Sequence, residues 1–180
     1  MSLDGDLRVE KTLERIKEQF LSLRKKLPLA KIRVNELCQG AKINKTTFYR
    51  HYEDIYDLED QFEDQAMRSF VEDMGIGENL FEDPERFVQC FFAALNKNRD
   101  QIIVLFRENA DAFVRKFEKA MLALHPSFTA TQEDRIRFSF IIGGAAHVIL
   151  NEEYERETDL RVITEMLRAL KKKEQHPAAG

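Results

Sequence analysis

Val9, Leu13, Ile16, Phe20, Leu23 and Leu27 recur at steps of four, three, four, three and four residues, and Pro28 follows the last of them. That spacing lays all six along one stripe of a helix, which the proline terminates. The same logic carries down the chain. Val34, Leu37 and Cys38 form the buried side of a short second helix over about 34–40. A third begins after Asn44, whose side-chain oxygen suits the free amides of a first turn, and runs to about Tyr52. A fourth opens near Asp54, buries Ile55, Leu58, Phe62, Ala66 and Phe70, and ends at Met74-Gly75. Ile76 to Glu82 reads as a hinge. Asp83-Pro84-Glu85 then supplies a cap, a first-turn proline and a dipole-favoured acid for a fifth helix burying Phe87, Cys90, Phe91, Ala94 and Leu95. Asp100 is expected to cap a sixth helix. Asp111 is expected to cap a seventh, after a break near Asn109. Thr131-Gln132-Glu133-Asp134 resembles a capping box before an eighth that reaches about Tyr154. Asp159 caps a ninth, striped by Leu160, Ile163, Leu167 and Leu170.

The expected fold class is therefore all-α, with about nine helices and no strand signal. Three helices over 1–53 would make a head, helix four (54–74) a connector, and 75–180 a helical bundle body. Composition agrees: 43% hydrophobic and 33% charged residues are enough for a packed core and unlike a disordered chain. Cys38 and Cys90 fit neither a metal site nor a disulfide scaffold and read as buried reduced thiols. The longest apolar run, Phe138 to Leu150, is too short to span a bilayer. Met1 to Asp6 lacks the apolar stretch of a leader, so a soluble cytoplasmic protein with no membrane partner is expected.

The net charge of −4 hides an asymmetry. Residues 1–52 hold twelve Lys and Arg against six Asp and Glu, a balance of +6, and the remainder carries −10. A basic head on an acidic body is the layout of a protein that presents one end to phosphate. The informative stretch lies in that head, Ile32 to Leu58, IRVNELCQGAKINKTTFYRHYEDIYDL. Helix two, a tight turn at Gly40-Ala41-Lys42 and helix three make a helix-turn-helix. Phe48 and Tyr52, four apart, face inward with Ile43, which leaves Lys45, Thr46, Tyr49 and Arg50 on the other side. Lysine can donate to guanine acceptors, and threonine offers a methyl to thymine or a hydroxyl to either partner. Arg50, His51 and the Thr47 hydroxyl suit phosphate oxygens.

The segment resembles the N-terminal domain of the TetR family of transcriptional regulators, where a stretch like A-G-V-S-x-x-T-L-Y-x-H-F-x-S-K-E-D-L spans the helix that reads DNA. The matching residues are Ala41, Ile43, Asn44, Thr47, Phe48, Tyr49, His51, Tyr52, Asp57 and Leu58. The first four helices are covered, and beyond them only helix number and order agree. The resemblance implies that Asn35, Lys45, Thr46 and Tyr49 meet base edges, and that Arg33, Thr47, Arg50 and His51 meet the DNA backbone. It implies a homodimer on a palindromic duplex operator, and a body that takes a small effector. Three departures stand out. Lys42 replaces the turn glycine, Arg33 replaces the threonine that caps helix two, and Ile55 replaces a phosphate-anchoring lysine, with Glu53 and Asp54 beside it.

The body supports a sensor without naming its effector. Phe81, Phe87, Phe91, Phe92, Phe106, Phe113 and Phe117 are either an aromatic pocket for an apolar ligand or plain core. Gly143, Gly144, Ala145 and Ala146 sit inside a helix, where two glycines cost roughly 2 kcal/mol, and the close approach of a dimer partner would account for them. His147 stays unassigned. No cofactor or metal is implied, and no nucleophile elbow, P-loop or HExxH motif is present, so an enzyme is not expected. The leading expectation is a ligand-released repressor. An adaptor of the same fold, acting through protein partners with weak or no DNA binding, is the alternative that Ile55, Glu53 and Asp54 favour.

Overall fold

The computed structural model describes residues 3–75, 83–125, 131–150 and, apart from 164, 161–166. Every regular element among them is helical, with no strand: α1 (Leu3–Arg24), a 3-10 turn (Leu29–Lys31), α2 (Val34–Gly40), α3 (Lys45–Tyr49), α4 (Ile55–Met74), α5 (Pro84–Phe106), α6 (Ala110–Leu124) and α7 (Gln132–Leu150). Residues 161–163 and 165–166 are also helical. The expected hinge at 76–82, Phe81, the end of the eighth predicted helix and the Asp159 cap lie outside the described residues. No described helix is long and apolar enough to cross a membrane.

The chain divides into two compact units, Met1–Glu63 and Asp64–Gly180, and the division falls within α4. In the first unit Ile16, Phe20 and Leu23 of α1 are buried, as are Leu37 and Cys38 of α2. Phe48, Tyr52, Ile55, Leu58 and Phe62 complete the core. Phe62 links two parts of it, with ring centroids 5.6 Å from Phe20 and 6.0 Å from Tyr52. α2 packs against both α1 and α3.

In the second unit Phe70 of α4 meets Phe91 of α5 at 5.2 Å and Phe117 of α6 at 5.6 Å. Phe113 lies nearly parallel to Phe117 and edge-on to Phe106. Phe106, Phe113 and Phe117 are wholly buried, packed ring against ring as core residues are. Offset and edge-to-face pairs of this kind add to the gain from burial itself. α6 packs on both α5 and α7.

Several boundaries depart from expectation. α5 continues through Asp100 where two helices were expected. Asn96-Lys97-Asn98-Arg99 contains neither Gly nor Pro to stop a helix, and the Asn98 amide donates to the Ala94 carbonyl and the Asp73 carboxylate. α6 is capped by Asn109 rather than Asp111: the Asn109 side chain accepts from the Ala112 amide, and Asp111 sits in the first turn. α3 stops at Tyr49, short of Tyr52. The Asp83 cap before Pro84 forms as expected, accepting from the Arg86 amide.

Candidate functional site

The turn between α2 and α3 is built by backbone hydrogen bonding. The Ile43 amide reaches back to the Cys38 carbonyl at 3.0 Å, and the Lys42 amide to the Gln39 carbonyl at 3.2 Å. These are the two bonds that close a helix on a left-handed residue, and here that residue is Lys42, with φ 54°. Asn44 then starts α3. Its Oδ1 accepts from the Thr47 amide at 2.7 Å and from the Thr47 hydroxyl at 2.8 Å.

The cap and the core together orient α3. Phe48 is wholly buried and Tyr52 is buried beside it, ring centroids 5.5 Å apart. With Phe48 fixed inward, Lys45, Thr46 and Tyr49 are exposed, and their three- and four-residue spacings put them on one face. Tyr49 is 55% exposed, yet its ring meets the Phe48 edge at 5.3 Å, so a rigid aromatic stands on the surface. Asn35 and Arg33 are exposed on and before α2, and Arg50 is exposed after α3. Arg33 precedes α2 without capping it. His51 is half-buried against Tyr52. Thr47 is less available than its sequence position implied, since its hydroxyl proton is committed to Asn44.

The electrostatics of this unit are sharply divided. Between residues 19 and 52 the acid is Glu36 alone, whereas 53–63 holds six acids and no Lys or Arg. Lys25, Lys26, Lys31, Arg33, Lys42, Lys45 and Arg50 are exposed, and none forms an ion pair with a described carboxylate. Arg24 is the exception that sequence reasoning missed. It is 1% exposed, its Nε donates to Glu59 Oε1 at 2.7 Å and its guanidinium reaches the Leu27 carbonyl, so this cation is spent inside the unit. Its position four residues after Phe20, on the buried stripe, is the signal that could have found it.

The start of α4 is also settled internally. Asp54 accepts from the amides of Tyr56 and Asp57, and Asp57 accepts from the Glu53 amide at 2.9 Å. Hydrogen bonds from Gln61 and then Glu53 hold the Asp57 carboxyl below its ordinary range, so it stays charged. Ile55 is buried.

In the second unit the four small residues of α7 divide. Ala145 and Ala146 are buried in their own unit, whereas at Gly143 and Gly144 no described atom beyond the adjoining helix backbone lies within 4 Å of where a Cβ would stand. Ile136 and Phe140, on the same helix, are 63% and 71% exposed.

No sequence-family model, curated protein or solved structure matches the chain.

Proposed function

We propose that the chain is a sequence-specific DNA-binding transcription regulator of the TetR kind. α2, the Lys42 turn and α3 would act as its helix-turn-helix, with Lys45, Thr46, Tyr49 and Asn35 toward base edges. The observation that carries the reading is the polarity of α3: Phe48 is wholly buried, and Lys45, Thr46 and Tyr49 are displayed on the opposite side among cations that no described carboxylate pairs. A short helix so equipped suits the major groove, and an unpaired basic surface suits the phosphates around it. Two copies, related by a dimer axis, would enter successive major grooves about 34 Å apart and read a palindrome. The simplest regulatory scheme is a repressor released by an apolar or aromatic effector bound in the body. The reading includes no catalytic step.

The test is a titration against the duplex upstream of the protein's own gene at two salt concentrations. Lys45→Ala or Tyr49→Ala costs about 1–3 kcal/mol and relaxes sequence preference. Arg50→Ala weakens every sequence alike and flattens the salt dependence. Equal loss on all sequences for all three variants would sink the assignment of base-reading roles.

A second reading, an adaptor working through protein partners, is favoured by one observation. The α4 amides that would otherwise attract a phosphate are occupied by Asp54, and a charged Asp57 stands beside them. A protein that binds no duplex above its acidic background would decide for the adaptor.

A further inference from the structure

The connector between α1 and α2 is a compact, ordered path with an unusual charge. The Lys26 and Leu27 amides both return to the Leu23 carbonyl, and the buried Arg24 guanidinium holds the Leu27 carbonyl from beneath. After Pro28 a single 3-10 turn brings the chain to buried Ile32 and exposed Arg33. Lys25, Lys26 and Lys31 project from this path, all exposed, with no acid between Gln19 and Asn35 to balance them. In the second unit Lys97, Lys116, Lys119 and Arg135 are each matched to a carboxylate. Arg68, Arg86 and Arg99 also lack an ion pair with a described carboxylate but are scattered. Lys25, Lys26, Lys31 and Arg33 instead follow one another along an acid-free stretch that leads directly into α2, which packs on α3.

At the start of α4 the local charge is the reverse. A helix N-terminus attracts phosphate through its free amides and its positive dipole end. Here Asp54 takes two of those amides and Asp57 takes the amide of Glu53, so two carboxylates stand where a phosphate oxygen would need to approach. The buried Ile55 adds no cation.

We propose that this protein grips the phosphate backbone of duplex DNA through Lys25, Lys26 and Lys31, continuing from Arg33, and that the start of α4 is closed to phosphate by its own carboxylates. The proposal rests on the duplex-DNA reading above. Each lysine that neutralises a phosphate on binding releases condensed counterions, which steepens the dependence of log affinity on log salt by about 0.9.

The experiment measures affinity over a salt series for the wild type and for the triple variant Lys25→Gln, Lys26→Gln, Lys31→Gln, on the upstream duplex and on a duplex of scrambled sequence. The expected result is a slope shallower by about two to three, with equal weakening on both duplexes and the wild-type preference between them retained. The three Lys→Arg changes together keep the wild-type slope, which separates charge from packing of the aliphatic stems. If the triple variant melts early, the three single variants each give about one third of the change. An unchanged slope, while Lys45→Ala still relaxes sequence preference, overturns this inference and leaves the DNA reading standing. A wild type with no salt-dependent duplex binding overturns both.

Discussion

A lysine at φ 54° holds its Cβ against the following carbonyl, a penalty of about 1–2 kcal/mol that glycine avoids. Glycine loses more freedom on folding, about 0.5–1 kcal/mol, which offsets part of the relief. Lys42→Gly is therefore expected to stabilise the first unit by about 0.5–1 kcal/mol, read as a higher urea midpoint at unchanged m. A lower midpoint would mean that the lysine side chain contributes a contact outweighing its backbone strain. Two residues on, Asn44 carries an α3 of five residues through two hydrogen bonds to Thr47. Asn44→Ala is expected to cost about 1 kcal/mol and, on the proposed reading, to weaken DNA binding although Asn44 is not itself assigned a DNA contact, because the face bearing Lys45 and Tyr49 loses its anchor. Asn44→Ser restores most of both, as checked by thermal melts beside the titration. The turn and the cap were legible in the sequence because their chemistry is local. The commitment of the Thr47 hydroxyl to Asn44 was not, since a threonine there suits a phosphate equally well on paper.

What the sequence hid at the level of elements was pairing at a distance. Arg24 and Glu59 stand 35 residues apart, on α1 and α4, and no periodicity in either helix announces the other. Counted by sequence, Arg24 adds to the basic head, whereas in the fold it ties two helices together. Removing one member of such a pair deprives the other of its counter-charge away from water, a loss of about 3–5 kcal/mol when the site is fully dry. Glu59 retains some solvent, so Arg24→Met is expected to cost about 2–4 kcal/mol. The double variant Arg24→Met, Glu59→Leu recovers most of that, because an apolar pair of similar volume removes the desolvation cost of both ions. Additive losses in a double-mutant cycle by urea denaturation would show that the two are not coupled. Helix boundaries erred for a related reason. Asp100 and Asn98 are both cap-competent, but Asn98 found partners on Ala94 and on Asp73, 25 residues away, and the helix ran on through both. Caps backed by a chain stop, such as Asp83 with Pro84, were legible.

Over the whole molecule the carboxylates of the second unit set an acid limit. Burial alone would raise the Asp64 carboxyl, but Lys116 and Lys119 outweigh it, and Lys97 followed by Asn98 lowers Asp73. Both titrate below the ordinary 3.8 in the folded chain, so their stabilisation is complete above the unfolded value and disappears as pH falls through the lowered one. Thermal midpoints are expected to hold steady down to about pH 5 and drop below about pH 4, and Asp64→Asn flattens that drop. Assembly provides the last expectation. α7 displays Ile136, Phe140, Gly143 and Gly144 outward, while Ala145 and Ala146 are turned into their own unit. Among the described residues nothing outside its own helix turn lies within 4 Å of where a Cβ at Gly144 would stand, so Gly144→Leu has room there for the first atom of its side chain. It even gains helix propensity, by roughly 0.5–1 kcal/mol. If two copies associate through this face, the same leucine keeps their helices from close approach. Sedimentation at micromolar concentration is then expected to give a dimer for the wild type and a monomer for Gly144→Leu, with helical content preserved. A monomeric wild type, or a variant that still dimerises, would remove α7 as the interface and with it the argument that a symmetric pair of α3 helices reads a palindrome.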